Sequence, residues 1–121
     1  MALIVVCDDD NMTRSLLKDI LEANGHTTLE AENGSGCIAH IGHSKPDLVF
    51  LDVFMPDKDG IETITEIREK WPNIKVICMS GGGSDGSMQY LEYTKEFGAN
   101  HTLLKPFSAR KVLKLVQETL G

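Results

Sequence analysis

Several chemically capable side chains in this sequence stand where an apolar run gives out. Leu3 to Cys7 (LIVVC) ends in Asp8, Asp9 and Asp10, and Leu48 to Leu51 ends in Asp52. Ile74 to Met79 (IKVICM) ends in Ser80, and His101 to Leu104 (HTLL) ends in Lys105 and Pro106. If Asp8, Asp9 and Asp52 shared one crevice they would repel, by roughly 3 kcal/mol for two unit charges ~5 Å apart at an effective dielectric of ~20. Such a group calls for a cation. All-oxygen ligands select a hard one, and few carboxylates with room for water favour Mg²⁺ over Ca²⁺. Lys105 would add a fixed positive charge and Ser80 a hydroxyl donor. Metal, ammonium and hydroxyl around one carboxylate make a site for a tetrahedral anion attached to it, an aspartyl phosphate formed when Asp52 attacks a phosphoryl group. Taken alone, Asp52 serves equally well as a turn-capping acid, because Met55-Pro56, Asp57, Asp59 and Gly60 read as a turn opening a helix. Only convergence with the other groups decides between the two.

The elements that must bring them together are legible as a strand–helix alternation. Leu3 to Cys7 is rich in β-branched residues and reads as a buried strand. Met12, Leu16, Leu17, Ile20 and Leu21 recur at helical spacing, and Gly25 marks the stop. Thr27 to Ala31 predicts a short edge strand. A weaker helix carries Cys37, Ile38 and Ile41 from Asn33-Gly34 to the residues before Pro46. After the strand that ends on Asp52, Ile61, Ile64, Ile67 and Trp71 mark a third helix. A fourth strand spans Ile74 to Met79, a fourth helix Met88 to Phe97 with Gly98 as its stop, and a fifth strand His101 to Leu104. Val112, Leu113, Val116 and Leu120 place the stripe of a last helix. Five strands alternating with five helices imply an α/β fold, a doubly wound parallel sheet. The order 2-1-3-4-5 puts Asp8 and Asp9 beside Asp52, with Ser80 and Lys105 on the same rim. Four strands then present polar groups at one edge, which favours the site over the cap.

Composition sets the outer bounds. At 121 residues, 41% hydrophobic and 25% charged, the chain is expected to form one domain, 1–121. No apolar run approaches the ~20 residues of a membrane span, and no signal peptide is evident, so no membrane insertion and a cytoplasmic location are expected. With 18 acids against 12 bases, the net charge of −6 argues against direct nucleic-acid binding. Cys7, Cys37 and Cys78 lack CxxC spacing, which suits buried reduced thiols. Cys37, His40 and His43 have helix-face spacing suited to zinc, but no fourth ligand is evident.

The acidic pair Asp8-Asp9, Asp52 followed by MPDKDG, Ser80 and the Lys105-Pro106-Phe107 triplet together resemble a response-regulator receiver domain of two-component signalling, the stand-alone chemotaxis-regulator type. The likeness runs from Leu3 to about Thr119. It implies a flavodoxin-like fold and a phosphoprotein of a phosphorelay rather than an enzyme with a separate substrate. Asp52 would accept a phosphoryl group from the phosphohistidine of a histidine kinase or histidine phosphotransfer protein, and the change would switch binding to an unknown downstream protein target. Asp9, Asp52 and the backbone carbonyl of Phe54 would ligate Mg²⁺, with Asp8 acting through water. Ser80 would contact the phosphoryl oxygens, and Lys105 would pair with them across a cis peptide to Pro106.

Some residues depart from that pattern. Thr102 stands where the family usually has an aromatic, and Phe54 is bulky at a position close to the path of hydrolytic water. The tract from Gly81 to Gly86 is unusually rich in glycine, so an order–disorder change there is the expected output in place of a ring movement. Two alternatives belong to other classes. A haloacid-dehalogenase-like phosphohydrolase would use Asp8 as nucleophile and Asp10 as its acid–base partner, although Met12 stands where that family places Thr or Val. A receiver that binds partners without phosphorylation is the other. Asp10 is read as a helix N-terminal acid.

Overall fold

The structure, a computed structural model, describes residues 1–54, 60–81 and 87–121. The turn expected over Met55 to Asp59, and the part of the glycine tract from Gly82 to Gly86, lie outside the described residues. The chain runs β1 (Leu3–Cys7), α1 (Asn11–Ala23), β2 (Thr27–Ala31), α2 (Gly34–Ser44), β3 (Leu48–Asp52), α3 (Gly60–Lys70), β4 (Lys75–Gly81), α4 (Ser87–Tyr93), β5 (His101–Lys105) and α5 (Ala109–Leu120). The sheet is parallel throughout, in the order β2-β1-β3-β4-β5. This is the expected doubly wound, flavodoxin-like topology, with β2 on one edge and β5 on the other.

The two faces of the sheet bury alternate residues of the three central strands, as the two-residue period of a strand requires. Val5, Cys7, Val49, Leu51, Val76 and Cys78 face one core with Cys37 and Ile41 of α2, Ile64 and Ile67 of α3 and Leu91 of α4. Ile4, Val6, Leu48, Phe50, Ile77 and Met79 face the other with Leu17 and Leu21 of α1 and Val112, Leu115 and Val116 of α5. The three cysteines are buried and none forms a disulfide, as expected. Burial pushes the Cys78 thiol up to about 12, outside the range in which a thiol reacts readily.

Three elements differ from the sequence reading. The stripe of α1 is rotated: Met12 and Leu16 are 81% and 48% exposed, and the buried positions are Arg14, Leu17 and Leu21. β4 continues past Met79, because its ladder with β5 extends to Ser80 opposite Leu104 and Gly81 opposite Lys105. The fourth helix does not run unbroken to Phe97; it tightens into a 3-10 turn over Thr94–Phe97. There the buried Thr94 hydroxyl donates to the Leu91 carbonyl at 2.5 Å, and Gly98 closes the turn at φ 117°.

Candidate functional site

The C-terminal ends of β1, β3, β4 and β5 meet at one rim. Cys7 pairs with Leu51 and Asp52 with Met79, so Asp8 emerges from β1 beside the final residue of β3. One carboxylate oxygen from each of Asp8, Asp9 and Asp52 lies within 4.8 Å of the others. Asp8 is fully buried and Asp52 is 4% exposed, while Asp9 is open to solvent. The sequence expectation that these acids converge is met.

Each buried acid is held by identifiable groups. The Asp8 N–H donates to the carbonyl of Ala31 at 3.1 Å, and Asp8 Oδ1 accepts from the Asp10 N–H at 2.9 Å. Asp8 Oδ2 receives no well-directed hydrogen bond among the described residues; the Lys105 ammonium, 2.7 Å away, offsets its charge. The same ammonium stands 3.6 Å from Asp52 Oδ2, and Asp52 Oδ1 accepts a long bond, 3.3 Å, from the Phe54 N–H. Lys105 reaches this point from the end of β5, where the Lys105–Pro106 peptide is cis, as the family likeness implied.

Two buried carboxylates therefore share one cation, and the electrostatics follow. Burial, then the Asp8 charge, push Asp52 up to about 7 against the pull of Lys105 and the Phe54 N–H. Burial pulls Lys105 down, but the Asp8 hydrogen bond and the charges of Asp52, Asp8 and Asp10 outweigh it and leave the ammonium above its ordinary value. All the acceptors gathered here are hard oxygens, and buried Asp8 Oδ2 has the Lys105 ammonium beside it and no other partner among the described residues. The residues fit a hard divalent cation such as Mg²⁺.

The remaining expected residues fall around this cluster. Ser80 is buried, with its hydroxyl donating to the Gly81 carbonyl at 3.3 Å. Phe54 is 51% exposed, and its ring stacks on Tyr90 of α4 with centroids 5.0 Å apart. Thr102 donates to Glu92 Oε2 at 3.0 Å, so the place of the family's usual ring holds a hydroxyl–carboxylate contact between β5 and α4. Asp10 is the N-cap of α1, accepting from the Met12 N–H at 3.2 Å and the Thr13 hydroxyl at 2.7 Å. These bonds, from Thr13 first and then Met12, hold its carboxyl below the usual range. Both of its oxygens accept bonds within the cap, as the reading of Asp10 as a helix N-terminal acid expects. His40 Nε2–H donates to the Glu30 carbonyl at 2.8 Å, and Cys37 is buried in the core, so the zinc spacing on α2 has a structural explanation.

Two participants were missed by the sequence reading. Tyr90 is one, since nothing in its local pattern announced a stack on Phe54. Arg14 is the other: its Nη1 donates to the Asp8 main-chain carbonyl at 2.7 Å. Its signal was present, because Arg14, Leu17 and Leu21 have the i, i+3, i+7 spacing of one helix face.

Comparison with known proteins gives a consistent result. A family model described as the response regulator receiver domain matches residues 4–117. The chain is 34% identical over 119 residues to the chemotaxis protein CheY of Listeria monocytogenes, covering 98% of each. It is 32% identical to sporulation initiation phosphotransferase F of Bacillus subtilis, covering 97% of this chain and 92% of that one. The crystal structure of the receiver domain of NtrX from Brucella abortus superposes with a TM-score of 0.91 at 30% identity, covering 97% of both chains. In the longer NtrX chain solved with ADP, the match spans 27% of the length, with a TM-score of 0.92.

Proposed function

The chain belongs to the response-regulator receiver family, and on that premise we propose that it is a phosphorelay switch whose phosphoacceptor is Asp52. The observation that carries this reading is the pair of buried carboxylates, Asp8 and Asp52, sharing the Lys105 ammonium at 2.7 and 3.6 Å at the edge of an open rim. An Asp52 oxygen attacks the phosphorus of a phosphohistidine on a histidine kinase or histidine phosphotransfer protein. The nitrogen–phosphorus bond breaks, its electron pair stays on the imidazole nitrogen, and that nitrogen takes a proton from solvent as it leaves. Lys105, already charged and positioned, moves its pairing to the phosphoryl oxygens, and the Ser80 hydroxyl exchanges the Gly81 carbonyl for one of them. Asp9, Asp52 and the Phe54 carbonyl would hold Mg²⁺, with Asp8 acting through water, and the ion would supply the positive charge that keeps Asp52 ionised and screens the phosphoryl group. A carboxyl raised to about 7 is partly protonated at neutral pH and a poor nucleophile, so dependence on a divalent cation follows. The chain is a self-modifying switch in this account and not an enzyme with a released substrate. Its output is altered binding to a protein partner.

The test is labelling with a small-molecule phosphodonor such as phosphoramidate, with Mg²⁺ or with EDTA. One base-labile phosphoryl group should appear on Asp52 only when Mg²⁺ is present. Equal labelling of Asp52→Asn would show that the acceptor is another residue. A wild type that takes no label would leave the phosphorylation-independent binding module in its place.

A further inference from the structure

Arg14 is 8% exposed, on the buried face of α1, and the chemistry above makes no use of it. A buried guanidinium is retained only where its donors are placed against specific acceptors. Here they are spread over three elements. Nη1 donates to the Asp8 carbonyl at 2.7 Å, and Nε reaches Glu30 Oε1 of β2 at 3.4 Å. Nη2 donates to Asn11 Oδ1 and lies 3.6 Å from Glu32 Oε1.

The carbonyl of Asp8 belongs to the peptide group that joins Asp8 to Asp9. The orientation of that plane sets the directions in which both side chains leave the backbone. Asp8 is also fixed through its N–H, Oδ1 and Oδ2, but Asp9 is exposed, and its carboxylate takes its direction from the main chain it stems from. We propose that Arg14 is a positioning residue of the cation site, holding the Asp8–Asp9 peptide so that the Asp9 carboxylate faces Asp52. The proposal rests on the reading of Asp9 and Asp52 as Mg²⁺ ligands.

The sign of the effect separates this role from two simpler ones. If Arg14 acted only as a nearby positive charge, removing it would strengthen cation binding. If it only stapled α1 to β2, its loss would lower the melting temperature and leave the affinity of the folded protein unchanged. Positioning predicts weaker binding in spite of the lost positive charge. Outer partners of metal ligands typically contribute about tenfold or more in affinity.

The experiment is calorimetric titration of Mg²⁺ into wild type, Arg14→Gln and Arg14→Lys, each below its melting temperature. Arg14→Gln should bind about tenfold more weakly. Arg14→Lys should also be weakened, because an ammonium cannot serve the Asp8 carbonyl and Glu30 together as the planar fork does. Affinity of Arg14→Gln equal to or above that of wild type overturns the proposal. If Arg14→Gln does not fold, Arg14→Lys decides in the same way, with wild-type affinity counting against positioning. A wild type that binds no Mg²⁺ would sink the phosphorelay reading itself, whereas wild-type binding with unaltered variants sinks only the role of Arg14.

Discussion

Asp52→Asn should make the metal-free protein more stable, and the gain should depend on pH in a way that identifies its cause. Asp8 and Asp52 are both buried and, among the described residues, only Lys105 pairs with them, so ionised Asp52 leaves these three groups one negative charge in excess. Burial first, and Asp8 second, raise Asp52 from an ordinary value of 3.8 to about 7. A carboxyl whose pKa is higher folded than unfolded favours folding in its protonated form. That contribution is complete below about pH 4 and is lost as pH climbs to about 7. A shift of about 3 units corresponds to a ceiling of about 4 kcal/mol. Asparagine keeps the acceptor for the Phe54 N–H but turns an amide toward the Lys105 ammonium, so about half of that ceiling, roughly 2 kcal/mol, is the expected gain. In EDTA at pH 8 the variant should melt roughly 5–10 °C above wild type. The difference should shrink steadily on acidification and be gone before pH 4 is reached, as followed by circular dichroism. A gain that is the same at pH 4.5 and pH 8, or a variant that melts lower at pH 8, would refute the electrostatic account of the cluster.

Two further outcomes follow from the neighbourhood of Asp52. Phe54→Asn should shorten the lifetime of the proposed aspartyl phosphate about fivefold, the effect of roughly 1 kcal/mol on a barrier. The ring lost in that change stacks on Tyr90 and is expected to hinder the in-line approach of water; decay that is equal or slower, measured by loss of label, removes the ring from the path. Gly60→Ala should lower stability by about 2 kcal/mol, because its Cβ would lie 2.5 Å from the Cα of Val53, the residue after Asp52. An unchanged melting temperature would mean that the start of α3 can retreat from β3.

Strand identities were legible because parallel strands covered on both faces must be apolar along their length, as Leu3–Cys7 is and as β3 is up to its last residue, Asp52. The rim acids were legible for the complementary reason: a carboxylate directly after such a run has nowhere to go but the edge. The end of β4 was misjudged because Ser80 is polar, yet it is buried in the ladder, where pairing with β5 outweighs composition. The face of α1 was misjudged because hydrophobicity was counted and acceptors could not be. Arg14 takes a core-facing position through Asn11 one turn back on its own helix, the Asp8 carbonyl just before that helix, and Glu30 of β2, which only folding brings alongside. No local pattern can display acceptors brought together only by folding. The stack of Phe54 on Tyr90 escaped notice for the same reason.

The proposed cation site has a dry floor and a wet lip: Asp8 and Asp52 are enclosed, and Asp9 stands in solvent. This arrangement bears on how fast an ion can come and go. An ion arriving at Asp9 can exchange its water for carboxylate oxygens one at a time, with no part of the sheet or its two cores having to open. Departure follows the same route in reverse. Occupancy would then track the free ion concentration around the protein, and the metal would be a passing visitor and not a fixture on which the fold depends.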